Sequence, residues 1–189
     1  MPTHNVFLEL GESLERLFRA EIPELKDKKV DHKSPGDINF SNMNGMSIFL
    51  YRTSKHEHLN NSEPTYIGNK IKKQPPLYLE LHYLFTAIAT DSILELSIFE
   101  GIIRTLYENP VIREPILSEE LAEQSRICAT PAELTVDDLN KLWGTFPNKP
   151  LKPALAYKVT PVAIFASVEE TISRVGKTSV SLNENPRKS

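Results

Sequence analysis

One stretch near the middle of the chain, "LYLELHYLFTAIA" (77–89), limits the fold more than any other. It is long, apolar and preceded by Pro75-Pro76, which stops whatever comes before it. Read as a strand, it has two unequal faces. Leu77, Leu79, Leu81, Tyr83 and Phe85 fall on one, and Tyr78, Glu80, His82, Leu84 and Thr86 on the other. The first set needs a core. The second mixes apolar and polar side chains, as on a sheet face only half covered. Whether Glu80 and His82 form a site, or only the wet part of that face, depends on what the rest of the chain builds.

The flanking segments supply layers for such a sheet. Residues 5 to about 20 read as an amphipathic helix, with Val6, Leu10, Leu14 and Leu17 on one face, Phe7 and Phe18 at its edge, and Pro23 ending it. A short strand is expected around Val30, after which Pro35-Gly36-Asp37 signals a turn. "GMSIFLYRT" (45–53) is apolar on both alternating sets, as in a strand covered on both sides. Residues 54–76 are polar and punctuated by Asn, Gly and Pro, and are expected to be a long loop. Asp91 or Ser92 can cap a helix running to about Glu108, before Pro110. Its polar stripe is narrow, with Glu100, Arg104 and Glu108 at ion-pair spacing, while Ile98, Phe99, Ile102, Ile103 and Leu106 take most of the remaining circumference. A helix that apolar needs cover on more than one side, which makes Ile103 a candidate contact with another subunit.

Further on, residues 125–134 offer a short strand and a turn. Residues 135–146 offer a helix capped by Thr135, with Asp138 three residues on, burying Val136, Leu139, Leu142, Trp143 and Phe146. Residues 154–167 form the last strand, which Pro161 forces to carry an edge or a bulge. Domain boundaries follow from composition: 1–168 as one α/β domain, and 169–189 as a polar tail or arm. Within that arm Ile172 and Val175 precede Val180-Ser181-Leu182, which alternates like a strand.

The chemical candidates are few. Glu80 and His82, two apart on one strand face, could bind a metal or move protons, but no third ligand stands at a diagnostic spacing. His56-Glu57-His58 lies in the polar loop, where nothing fixes its geometry. Cys128 stands alone among residues that would not lower its pKa, and small buried filler is its expected role. There is no phosphate loop, dinucleotide fingerprint, nucleophile elbow or paired-cysteine zinc motif. No catalytic residue, cofactor or metal is therefore expected, and the chain is not expected to be an enzyme. A formal charge of -3, with Lys26, Lys28 and Lys29 interleaved by acids and Lys70, Lys72 and Lys73 lacking aromatic platforms, excludes a nucleic-acid groove. The N-terminus has acids in its apolar stretch and no basic lead, and no apolar run approaches the ~20 residues of a membrane span. A protein made and folded in the cytoplasm, with no direct membrane insertion, is expected.

The order of segments goes further than composition. "SIFLYRT" is followed by "QPPLYLELHYLFTAIA", an apolar helix ending "LYENPVI", "RICATPAELTVDDLNKLWGTF" and "LKPALAYKVTPVAIF". The most specific pieces are Pro76-Leu77 through His82-Tyr83-Leu84 with Thr86-Ala87, then Thr130-Pro131 through Leu134, Leu139, Lys141, Leu142, Trp143 and Phe146, and Ala156-Tyr157-Lys158-Val159. Over roughly residues 5–167 the chain resembles the N-terminal domain of the tail-tube terminator, or cap protein, of contractile injection systems such as the Photorhabdus virulence cassette and antifeeding prophage. It departs from that pattern in the polar segment 55–75, at Pro161, and in having too few residues after 168 for an added domain.

The resemblance implies an α+β fold like that of phage tail terminators, a mostly antiparallel sheet flanked by helices. It implies a structural role: a hexameric ring on the last layer of the inner-tube protein that stops its growth and helps anchor the sheath protein, within a phage-tail-like particle open to release. Glu80 and His82 then belong to a strand motif that carries no chemistry, facing a helix, water or a neighbouring subunit. Ile172, Val175, Val180 and Leu182 could add a strand to the sheath. Two other readings stay open on the residues alone: a monomeric adaptor using the helix at 92–108, and a metal-dependent enzyme using Glu80 and His82.

Overall fold

The computed structural model describes residues 5–61, 63–67, 71–118, 121, 126–166 and 170–171; at 66–67, 71–73 and 170–171 the backbone alone is described. Its centre is a five-stranded sheet in the order β1-β2-β5-β7-β6. These strands are β1 (Lys29–Asp31), β2 (Gly45–Lys55), β5 (Leu77–Ile88), β6 (Cys128–Pro131) and β7 (Ala154–Ile164). β1 runs parallel to β2, and every other pair is antiparallel, so the sheet is mixed with an antiparallel majority. Among the described residues the helices that pack on it include α1 (Val6–Glu21), α2 (Ser92–Glu108) and α3 (Val136–Gly144).

The two faces are covered unequally. Met46, Ile48, Leu81, Tyr83, Phe85, Val159 and Val162 meet the apolar sides of α1 and α2 in the main core. Phe18 sits at its middle rather than at the edge of α1, its ring 5.1 Å from that of Phe85. Phe7 is the residue left on the outside. On the opposite face, Leu84, Ala156, Phe49 and Tyr51 are covered by Trp143 and Phe146, with Leu139 and Leu142. The indole N–H of Trp143 donates to the Pro150 carbonyl at 3.1 Å, which satisfies the polar edge of that ring. Val136 is exposed, because the first residue of so short a helix projects beyond the sheet it covers.

The helix ends are set by local chemistry. Asn5 Oδ1 accepts from Leu8 N and Asp91 Oδ2 from Leu94 N, and Thr135 with Asp138 forms a reciprocal capping box. Among the described residues Glu100, Arg104 and Glu108 make no ion pair with one another, so the expected pairing along α2 does not form. The segment 54–76 is not all loop. β2 continues to Lys55, and β3 (Thr65–Ile67) and β4 (Ile71–Lys73) form a hairpin. A third strand, β8 (Glu170–Thr171), pairs with β4, so the chain after 168 returns to this hairpin.

Candidate interaction surfaces

Two irregularities build the polar end of the sheet. The β2–β5 register runs Leu50 to Tyr83 and then Arg52 to His82, which leaves Tyr51 as the extra residue of a bulge. The β5–β7 register runs Leu79 to Val162 and then Leu81 to Val159, so Thr160 and Pro161 together oppose Glu80. Proline has no N–H to give the ladder, and a bulge is where a strand tolerates it. The face covered by α3 at one end is polar and mostly half-buried at the other. There Arg52, Ser54, Glu80, His82 and Lys158 stand on three adjacent strands.

Glu80 and His82 are brought together, but as part of a cross-strand network. Lys158 Nζ lies 3.2 Å from Glu80 Oε1. Ser54 Oγ lies 3.2 Å from His82 Nε2 and donates to Glu80 Oε2 across a long 3.5 Å. The hydroxyl has one proton, so donation to Glu80 leaves its oxygen to accept from a protonated Nε2. Burial, then the positive Arg52, pulls the pKa of His82 below the usual 6.5, which keeps the ring neutral near pH 7. The Tyr51 ring meets it edge-on at 6.0 Å.

A serine, a histidine and a glutamate in contact invite comparison with a hydrolytic triad. The connectivity is wrong for one. In a triad the acid orients the imidazole from the nitrogen opposite the serine, whereas here Ser54 bridges both groups. A metal is served no better, since among the described residues no three His, Cys, Asp or Glu side chains converge. His56 and His58 lie in an exposed turn, and Cys128 is half-buried on β6. What the arrangement offers is a hydrogen-bonding patch with one ion pair, Lys158 to Glu80, and a further cation in Arg52, suited to holding a surface rather than to chemistry.

The second surface is the outer side of α2. Ile98, Gly101, Ile102, Thr105 and Leu106 face inward, and Gly101 lets Ile22 approach closely. Ile103 is on the outer side, with Ile93, Leu96 and Tyr107 beside it in one exposed stripe. Of the four, the sequence pattern singles out Ile103 alone. The spacing 93-96-100-103-107 carries the signal, but the interior glycine that decides which way the helix turns is not visible as such. An apolar groove of about 360 Å³ opens at the β6–β7 edge, lined by Pro131, Leu134, Leu139, Ala154, Leu155 and Tyr157. Ile172, Val175, Val180 and Leu182 lie outside the described residues.

Solved structures share this fold. The sheath/tube terminator of the PVC extracellular contractile injection system, in its extended state, superposes with a TM-score of 0.67 at 15% identity over 100% of this chain. The tube-terminating cap of the anti-feeding prophage superposes with a TM-score of 0.61 at 14% identity over 92% of this chain. The chain spans 67% of the first protein's length and 60% of the second's. No curated protein matches the sequence significantly. The model of the Pvc16 N-terminal domain matches residues 9–177, which include every described strand of both sheets, α2, α3 and all but the first turn of α1. The chain belongs to the Pvc16 N-terminal domain family.

Proposed function

We propose that this chain is the structural cap of a contractile injection system. Six copies form a ring on the last layer of the inner tube, stop its growth and hold the end of the sheath. The observation that carries this reading is the likeness in fold to a sheath/tube terminator over 100% of this chain and to a tube-terminating cap over 92% of it. Each subunit of a closing ring presents two different surfaces to its neighbours. The polar patch of Glu80, His82 and Lys158 and the outer face of α2 with Ile103 are surfaces of the kind such contacts use. Neither a catalytic step, a cofactor, nucleic acid nor membrane insertion enters this role. No helix among the described residues is long and apolar enough to cross a membrane. Synthesis and assembly take place in the cytoplasm, and the finished particle is open to release.

The arm extends the reading. Glu170 and Thr171 pair with β4 in their own chain, and the rest of residues 170–183, where Ile172 and Val175 precede the alternating Val180-Ser181-Leu182, adds a strand to a sheath subunit. The experiment is negative-stain electron microscopy of particles made with the chain, without it, and with residues 172–189 removed. Uncapped particles without the chain, and capped particles that lose their sheath with the truncated one, are the expected results. Capped particles in the complete absence of the chain would end the cap reading. Normal sheath retention on the truncated chain would end the strand reading alone.

A further inference from the structure

Ile93, Leu96, Ile103 and Tyr107 are 77%, 61%, 43% and 82% exposed. With Glu100 they occupy successive a and d positions of a heptad, the seam along which two helices pack. The stripe runs about 20 Å along α2 at 1.5 Å per residue. Several hundred Å² of contiguous apolar surface is more than a lone soluble chain usually leaves to water. Two charges belong to it, Glu100 within the seam and Arg104 beside it. Among the described residues neither makes a close ion pair or a hydrogen bond, and Arg104 is near enough to Glu24 to help lower that carboxyl's pKa.

We propose that two free copies of this chain cover these stripes mutually, α2 against α2 in an antiparallel, two-fold pair. Charge selects the direction. A parallel seam would set Glu100 against the partner's Glu100 in a dry layer. The antiparallel register that keeps a opposite d sets Leu96 against the partner's Tyr107 and Glu100 against the partner's Ile103. It brings Arg104 next to the partner's Glu100, and the reverse contact follows by symmetry. Ile93 then meets the partner's Pro110, and Glu108 meets the partner's Glu95, whose charge Lys152 already matches within its own chain. A stable interface takes about 800 Å² from each partner. The stripe, Glu100 included, with Arg104 and Glu108 flanking it is of that order. A two-fold contact has no place between neighbours of a six-membered ring, so the pair is a store of free chain that opens when copies assemble. It stands whether or not the chain caps a tube.

Sedimentation equilibrium of the full-length purified chain, over a wide concentration range, tests this. A monomer–dimer equilibrium is expected. Glu100→Arg alone and Arg104→Glu alone should each weaken it by about tenfold or more, and the double exchange should restore it to within a few-fold of the parent. Ile103→Asp should leave only monomer. These positions are exposed or half-exposed, so circular dichroism should report an unchanged fold, and the two charge variants carry the test if Ile103→Asp does not fold. A parent that is monomeric throughout, or that forms only higher rings, would overturn the proposal. So would single reversals without effect, or a double exchange no tighter than the singles.

Discussion

Replacing Gly45 by alanine should cost about 3–5 kcal/mol, a large part of the ~5–15 kcal/mol that holds a domain folded. Gly45 begins β2 with φ +153°, a backbone conformation that residues with a side chain rarely adopt. It also sits directly against β1. A Cβ built there would lie 1.8 Å from the Lys29 carbonyl oxygen, 2.8 Å from its carbon and 3.0 Å from its nitrogen. All three are backbone atoms, so no rotamer change relieves the overlap. Either β1 leaves the sheet or the start of β2 refolds. Loss of β1 would expose Val30, worth about 1.5–3 kcal/mol, and undo the parallel ladder over Lys29–Asp31 at about 1 kcal/mol for each hydrogen bond left without a good replacement.

The control is Gly144→Ala at the end of α3, where a Cβ would meet nothing within 4 Å. There alanine should stabilise by up to about 1 kcal/mol through helix propensity. Urea unfolding of the two variants and the parent gives both shifts. A Gly45→Ala protein within about 1 kcal/mol of the parent would mean that β1 is not docked as described, and the reasoning from backbone contact would be refuted.

Other perturbations follow from the same contacts. At Gly101 a Cβ would stand 3.0–3.2 Å from three carbons of buried Ile22. Overpacking at about 1–3 kcal/mol should outweigh a helix gain of about 1 kcal/mol, so Gly101→Ala destabilises. A double-mutant cycle with Ile22→Ala should show favourable coupling of at least about 0.5 kcal/mol. Asp91→Ala should cost about 1 kcal/mol by removing the cap of α2, while Asp91→Asn should be nearly neutral in thermal unfolding. The depressed pKa of His82 fixes a sign: the unfolded chain binds a proton more readily, so this contribution is fully present above about pH 6.5 and is lost as pH falls through the folded value. Melting temperatures from about pH 8 to pH 5 should therefore fall less steeply for His82→Gln than for the parent.

What could be seen in the sequence divides along physical lines. α1, α2 and β5 were legible because each buries one face over many residues, and periodicity survives small errors of register. The half-covered second face of β5 was legible for the same reason: Leu84 and Thr86 differ from Glu80 and His82 in what they can be packed against. The neighbours of Glu80 were not. Ser54 and Lys158 reach it only because bulges at Tyr51 and at Thr160–Pro161 shift the pairing, and a bulge changes which face a side chain takes without leaving a periodic trace. The β3–β4 hairpin leaves no strand signal in the sequence because it belongs to a small sheet apart from the five-stranded one, where alternation of apolar residues is not required. Phe18 and Val136 were misplaced by the same kind of error. A helical wheel gives direction but not length, and α3 is too short to carry its first residue over the sheet.

The central claim is that this chain stops a tube. The most direct measurement is to polymerise the inner-tube protein of a contractile injection system, adding increasing amounts of the purified chain, and to score tube length and ends by electron microscopy. Shorter tubes with rising chain concentration, each stopped end carrying a six-fold ring, are what the account predicts. Tube lengths independent of the chain, with bare ends at every concentration, would contradict it.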